Sequence, residues 1–448
     1  MTGRGIIIAA PTSRSGKTTI TLGLARAFRR AGVQIRTAKS GPDYIDSAFL
    51  AAASGRACVN LDAFAMGQAR LDALAAADGI VGENDRDLLL IEGAMGLFDG
   101  APPDGRGAVA DLAAHFALPV VLVVDCGSMA QSVAPLVAGF LSHRADVQIA
   151  GLILNRVGSD RHETMLRAAL SSLDVPVLGA VRRSRDLARP SRHLGLVQAG
   201  EVADLDGFLD QAATQLEAQL DISAIAALAR PVNRGAAAPD PLPPPDPLPP
   251  LGQRIALASD VAFAFAYPHI LADWRQGGAE IVPFSPLADE APDPRADAIF
   301  LPGGYPELHA LTLTRAGRFR GAMQKAAQAG TRIYGECGGY MVLGQAITDA
   351  RGVSFPMCGL LDLETSFERR RLSLGYRHLT TIENRPAGAN GWPDVLTGHE
   401  FHYATTIVAE GAPLFAATDA LGTVLPPMGL VSGSVSGSFA HIIDQPGQ

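Results

Sequence analysis

Through residues 1–230, short unbroken apolar runs alternate with longer amphipathic stretches. The runs at 5–9, 35–39, 87–91, 119–125, 149–155 and 177–181 are rich in Val, Ile and Leu and lack polar alternation. That pattern predicts strands buried on both faces of a mostly parallel sheet. The stretches at 18–31, 129–144, 162–173 and 205–218 are predicted to be the crossover helices. The pattern breaks at 239–250, P-D-P-L-P-P-P-D-P-L-P-P, which suits neither a ladder nor a helix and reads as an extended spacer. A PxxP ligand is the functional alternative, but the position between two αβ patterns favours a linker. Alternation restarts at 254–258, 281–283, 298–301 and 331–334. Beyond residue 357 it loosens into shorter polar–apolar runs such as 405–408, expected to add antiparallel strands. The expected fold class is α/β, with a doubly wound, mostly parallel sheet over residues 1–230, a linker at 231–251 and a second α/β domain at 252–448.

Composition narrows the field. A chain of 448 residues with 48% hydrophobic and 18% charged positions is ordinary for a soluble globular protein with ample cores. A net charge of -8 and pI near 5.7, without any Lys/Arg block, argue against a general nucleic-acid binder. Cys58, Cys126, Cys337 and Cys358 form no C-x-x-C pair, so neither a disulfide framework nor a zinc site is indicated. The apolar run after Arg4 is too short for a signal peptide, and no segment approaches a membrane span, so a cytoplasmic location is expected.

The first chemical motif follows the first strand. P-T-S-R-S-G-K-T-T (11–19) joins a strand to a helix, the context of a phosphate cradle. Ser13, Ser15, Gly16, Lys17, Thr18 and Thr19 are predicted to bind ATP, with Lys17 on the terminal phosphates and the Thr18 hydroxyl on Mg²⁺. Pro11 stands where the usual first glycine belongs. Three more motifs fall at strand ends, the edge where doubly wound sheets bind ligands. In G-P-D-Y-I-D (41–46), Asp43 and Asp46 suggest metal coordination or charge placement at a reacting carboxyl; a turn with an Asp helix cap is the structural alternative. Glu92 and Asp99 in E-G-A-M-G-L-F-D-G are candidates for a metal or phosphate site. Asn155 offers an amide suited to reading a base edge, or equally to capping.

A second chemistry lies near the other end, in R-I-Y-G-E-C-G-G-Y-M (332–341). A cysteine between glycines at a strand-to-helix turn is what a nucleophile elbow requires, and the following helix N-terminus is expected to lower the thiol pKa. Cys337 is therefore the candidate nucleophile, with a buried structural cysteine as the alternative. Gly303 and Gly304 in L-P-G-G-Y-P-E, with Gly338 beside the thiol, are candidates for an oxyanion site. Cysteine catalysis also needs a base, and spacing does not choose among His399, His402 and His441. H-E-F-H lacks the zincin spacing.

Taken together and in order, these motifs, with K-S-G-P-D-Y-I-D, I-L-N-R-V-G-S, L-G-Y-R, G-H-E-F-H-Y and G-S-F-A-H, resemble the cobyrinic/hydrogenobyrinic acid a,c-diamide synthases over essentially the whole chain. The resemblance implies a dethiobiotin synthetase-like N-terminal domain and a C-terminal class I glutamine amidotransferase domain. It implies that Cys337 forms a glutamyl thioester with His441 as base, which makes the Gly303, Gly304 and Gly338 site a glutamine site, and that ATP and Mg²⁺ sit at Lys17, Thr18, Glu92 and Asp99. Asp43, Tyr44, Ile45 and Asp46 are implied to lie toward the macrocycle and its acyl phosphate. The implied partners are a tetrapyrrole macrocycle, glutamine and ATP, without nucleic acid or membrane; a homodimer is compatible with this. Class I relatives often carry a Glu two residues after the catalytic His, where this chain has Ile443, so the resemblance leaves the group that orients His441 unassigned. K-S-G-P-D-Y-I-D and R-R-L-S-L-G-Y-R look more like the hydrogenobyrinic acid branch. The competing readings are cobyrinic acid or nickel-sirohydrochlorin a,c-diamide synthases, more distantly cobyric acid synthase, and a regulatory P-loop ATPase with an inactive amidotransferase-like domain. The last would be expected to lack Cys337.

Overall fold

The computed structural model describes residues 3–76, 87–184, 197–233, 247–382 and 391–446. The chain divides into two compact units, Met1–Pro244 and Pro245–Gln448. Most of the proline-rich segment at 239–250 lies outside the described residues.

The first unit is built on β1 (Arg4–Ala9), β2 (Gln34–Ser40), β3 (Val59–Leu61), β4 (Asp87–Glu92), β5 (Val120–Asp125), β6 (Ile149–Val157) and β7 (Val177–Arg182). They run parallel in the order β3-β2-β4-β1-β5-β6-β7, and β8 (Arg230–Pro231) adds antiparallel to β1. The unbroken apolar runs are explained by burial on both faces; Ile6, Ile7 and Ile8 have no exposed surface. Helices including α1 (Lys17–Arg30) and α2 (Tyr44–Ser54) supply crossovers. Parallel strands bring all their C-terminal ends to one edge. The register pairs Ile8 with Glu92, Lys39 with Glu92, and Asp125 with Asn155, so four motifs distant in sequence share that edge.

The second unit centres on β9 (Arg254–Ala258), β10 (Glu280–Phe284), β11 (Ala298–Leu301) and β12 (Arg332–Glu336), parallel in the order β10-β9-β11-β12. Strand Val435–Ser438 extends this sheet parallel to β12, beside the antiparallel strands expected for this region. Antiparallel strands do form elsewhere in that region, among them Ser373–Thr381, Val395–His402 and Ala440–Asp444, consecutive neighbours in one sheet. Helix Gly338–Leu343 is wholly buried among Phe263, Phe319, Ile347 and Leu363, which fixes the position of the turn that precedes it. None of the described helices is long and apolar enough to cross a membrane.

Candidate functional site

The loop after β1 turns back into α1 through left-handed backbone at Arg14 (φ 65°) and Gly16 (φ 86°). Such alternation points successive N–H groups inward, an anion cradle. Helix α1 continues the cradle: its N-cap is a glycine, which offers no side-chain cap, and its first turn carries no acid. The buried Ser15 hydroxyl donates to Thr12 O at 2.8 Å, while Ser13 is exposed and Thr19 half-buried. Asn155 packs against the loop itself. Its Nδ2 donates to Ser15 O at 2.8 Å, and a methyl group added at Gly16 would lie 2.3 Å from that nitrogen. Its amide therefore braces the loop, and Arg156 adds a second brace by donating from Nη2 to Arg14 O at 2.9 Å.

Behind the loop, half-buried Thr18 joins buried Lys39, Asp46 and Glu92 in a cluster. Lys39 Nζ lies 2.8 Å from Asp46 Oδ2 and 3.0 Å from Glu92 Oε1. The Thr18 hydroxyl contacts both carboxylates, donating to Glu92 Oε1 and at 3.3 Å to Asp46 Oδ2. Burial works against the Lys39 ammonium, but Asp46 and Glu92 overcome it and hold its pKa above the ordinary lysine value. Lys17, buried with only 7% exposure, is lowered by burial and then by the nearby Lys39 charge. Glu92 has no exposed surface, and its Oε2 has no hydrogen-bond partner.

Asp43 makes the helix cap raised as one reading of its sequence context. It is the N-cap of α2, with Oδ1 accepting from Ile45 N and Asp46 N, both at 2.9 Å. Burial and then the neighbouring Asp46 push its carboxyl up to about 6. Tyr44 and Ile45 occupy the first turn of α2 and are buried. Asp99 is exposed, and its Oδ2 accepts Gly96 N–H at 2.9 Å, so its contact is with its own loop rather than with the Thr18–Glu92 cluster. Lys39 and Asn60 escaped the sequence reading. Asn60, fully buried on β3, donates to Gly41 O and Asp43 O at 2.8 and 2.9 Å and fixes the turn before α2. A lysine ending an otherwise buried strand was the available signal for Lys39; a three-residue strand offered none for Asn60.

In the second unit, Cys337 sits between β12 and helix Gly338–Leu343 with φ 45°, a strained left-handed backbone for a residue with a side chain. A methyl group added at Gly335 would meet Gly339 C at 2.8 Å, and one at Gly339 would meet Leu301 O at 2.0 Å, so the flanking glycines are required by close packing. The thiol is 3% exposed. Burial, with Glu307 adding to it, pushes its pKa up. This corrects the expected lowering, because desolvation outweighs the Gly338 N–H and a helix of one and a half turns.

Geometry chooses among the histidines. A methyl group added at Gly303 would lie 2.2 Å from His441 Cε1, 2.9 Å from His441 Nε2 and 3.3 Å from Cys337 Cβ. Gly303 thus fills the narrow space between the thiol residue and His441, whose Nε2 faces that space. Gly304 N lies 2.9 Å from where a Gly338 methyl would be, bringing the L-P-G-G backbone against the elbow. His441 has no exposed surface, and burial, then His399 and His402, lower its pKa to about 3. His402 Nε2 donates to Glu400 Oε1 (2.8 Å), and the ring stacks on Phe439 at 3.9 Å between ring centroids. Arg377 clasps the other Glu400 oxygen from Nε and Nη2 at 2.9 and 2.7 Å. His399 is the cross-strand partner of His441, and burial, then Arg377, lower its pKa to about 4. Glu336, immediately before the nucleophile, was also missed: it is 2% exposed and its Oε2 lies 3.6 Å from His441 Nδ1.

These two sites match two known domain families. Residues 6–197 match the CobQ/CobB/MinD/ParA nucleotide binding domain, and residues 254–447 the CobB/CobQ-like glutamine amidotransferase domain. The chain is 54% identical over 442 residues to the hydrogenobyrinate a,c-diamide synthase of Rhizobium meliloti, covering 98% of this chain and 99% of that protein. The chain belongs to the hydrogenobyrinate a,c-diamide synthase family. Its likeness to other members is similar: 55% over 447 residues to the Brucella abortus synthase and 49% over 447 residues to that of Mesorhizobium japonicum, each covering 99% of both chains. As in the family, a nucleotide-binding domain that uses ATP precedes a glutamine amidotransferase domain.

Proposed function

We propose that this chain converts the a and c acetate carboxylates of hydrogenobyrinic acid to amides, using ATP and glutamine, in cobalamin biosynthesis in the cytoplasm. Residues 1–230 are the synthase part, 231–251 a linker and 252–448 the ammonia-producing part. The observation that carries the reading is the presence, in one chain matched end to end by named synthases, of a phosphate cradle and a strained cysteine packed near a histidine.

In the synthase part, the cradle N–H groups and Lys17 bind and neutralise ATP phosphates beside the substrate carboxylate, and Lys39 holds Asp46 and Glu92 in place. A carboxylate oxygen takes the γ-phosphoryl group and ADP leaves; ammonia then forms the C–N bond while the C–O bond to phosphate breaks. Asp43 and Asp46 lie on the substrate side, and Asn155 holds the ATP loop rather than the base. Glu92 Oε2, buried without a partner, together with Thr18 and Asp46, offers the hard oxygen donors that Mg²⁺ prefers. Among the described residues no group of three or more His, Cys, Asp and Glu is arranged to hold a metal. That fits an ion held by one or two carboxylates and the nucleotide itself. When bound, Mg²⁺ would neutralise phosphate charge there.

In the second part, Cys337 Sγ attacks the glutamine carboxamide carbon and its proton passes to His441 Nε2. Backbone N–H groups around Gly303, Gly304 and Gly338 stabilise the oxyanion. The proton moves on to the departing nitrogen, ammonia leaves, and water hydrolyses the thioester to glutamate. The test is ATP- and glutamine-dependent turnover across metal-free, cobalt-containing and nickel-containing macrocycles, with mass spectrometry counting amides. Two amides on the metal-free substrate are expected; faster turnover of a metal-containing macrocycle would move the assignment to a sister branch.

A further inference from the structure

The Cys337–His441 reading leaves open what holds the imidazole, since Ile443 occupies the position where class I relatives place a carboxylate. We propose that Glu336 is the positioning residue for His441, approaching from the nucleophile's own strand. Resting on the Cys–His reading, the inference stands on three observations.

The first is the double contact of one carboxyl group. Glu336 Oε1 accepts Ile442 N–H at 3.1 Å, and Oε2 faces His441 Nδ1 at 3.6 Å. One carboxyl group therefore grips the backbone next to His441 and addresses its ring. The second is the ring's orientation: Nε2 faces the gap shared with Cys337, and Nδ1 faces Glu336, so the two nitrogens are divided between proton acceptance and support. The third is the engagement of the nearest competitor. Glu400 is held by Arg377 at 2.7 Å and His402 at 2.8 Å, and its Cα register partner is Ala440, not His441.

Glu336 and His441 are both buried, and burial raises the carboxyl to about 8 while lowering the imidazole to about 3. Burial works against charge on either group alone; in the role proposed Glu336 is ionised, accepts Nδ1–H, and stabilises the imidazolium created when a thiol proton arrives on Nε2. At 3.6 Å the contact is longer than a hydrogen bond, in the manner of catalytic pairs that tighten only with substrate bound.

Glu336→Gln is the direct test in the full chain. The amide oxygen can still accept Ile442 N–H, but the amide nitrogen presents a donor to Nδ1 and favours the wrong tautomer. Glutaminase kcat is expected to fall by about 10²–10⁴-fold. The KM for glutamine should stay within about threefold, because ground-state binding is untouched. Retention of kcat within about threefold overturns the proposal. His441→Ala, assayed alongside, separates the failures. If His441→Ala loses glutaminase activity and Glu336→Gln keeps it, only this inference fails; if both keep it, the Cys–His reading fails as well. A second measurement does not use the Glu336→Gln variant. Nitrogen NMR of histidine-labelled wild type, with the His441 signal assigned by its loss in His441→Ala, is expected to show the Nδ1–H tautomer. Finding Nε2–H would overturn the proposal independently.

Discussion

The phosphate-loop cluster and the cysteine elbow bury similar numbers of titratable groups and treat them in opposite ways. In the first unit, Lys39 stands between Asp46 and Glu92, and opposite charges sustain each other without water. In the second, burial works against charge on the thiol and the imidazole themselves: Cys337 is raised and His441 lowered, while the Glu400 charge nearby is held by Arg377. The difference matches two kinds of chemistry. Binding and transferring a phosphoryl group needs fixed charge already in place. Releasing ammonia needs charge only while a proton is moving, and a thiol that stays neutral until glutamine arrives is protected from wasteful reaction.

Removing the fixed charge should have the largest effect. Lys39→Met leaves two buried carboxylates without their shared cation, which is expected to cost about 3–5 kcal/mol of stability and to remove amidation with either nitrogen source. Thermal or urea unfolding and turnover with glutamine and with ammonium salt check this; unchanged stability would mean the cluster is not sustained by Lys39. Next comes Gly303→Ala. Its methyl would press on His441 at 2.2 Å, and about a 10²-fold loss of glutaminase activity is expected, with ammonia-dependent synthesis spared.

A smaller effect tests the neutral resting state. Alkylation of Cys337 by iodoacetamide, followed by peptide mass spectrometry, should be slower at neutral pH than that of a free thiol and should rise with pH. A rapid, pH-independent rate near neutrality would show a standing thiolate and dissolve the contrast between the sites. The smallest effect belongs to Asp43. Its carboxyl is raised to about 6, so the folded state holds this proton more tightly than the unfolded state does. That contribution is present below the ordinary carboxylate pKa and is lost as pH rises to about 6. Asn can keep the cap without titrating, so Asp43→Asn should gain stability relative to wild type as pH rises from about 4 to about 6. The same variant is expected to lose amidation with either nitrogen source; near-normal turnover would reduce Asp43 to a helix cap.

How legible each site was follows from how local its logic is. The strand runs at 5–9 and 87–91 are buried on both faces, so their composition announced them, as did the loop and elbow, whose glycines answer to backbone geometry within a few residues. Lys39, Asn60 and Glu336 depend on partners 7 to 106 residues away, and no local pattern marks a lysine that will meet Asp46 or a glutamate that will meet Ile442. The thiol pKa went the wrong way for a related reason: the helix after Cys337 could be read from sequence, whereas the burial that overrides it could not. Register also bears on what spacing left open. Pairing of Val395–His402 with Ala440–Asp444 gathers all three histidines, and the packing against Gly303 is what favours His441 in the proposed pair.

The central claim is that ammonia is made at Cys337 and used at the other site. Cys337→Ala, assayed with ATP and macrocycle, tests it by changing only the nitrogen source. Amide formation should vanish with glutamine and proceed near the wild-type rate with high ammonium salt. A variant equally inactive with ammonium, or still active with glutamine, would contradict the account.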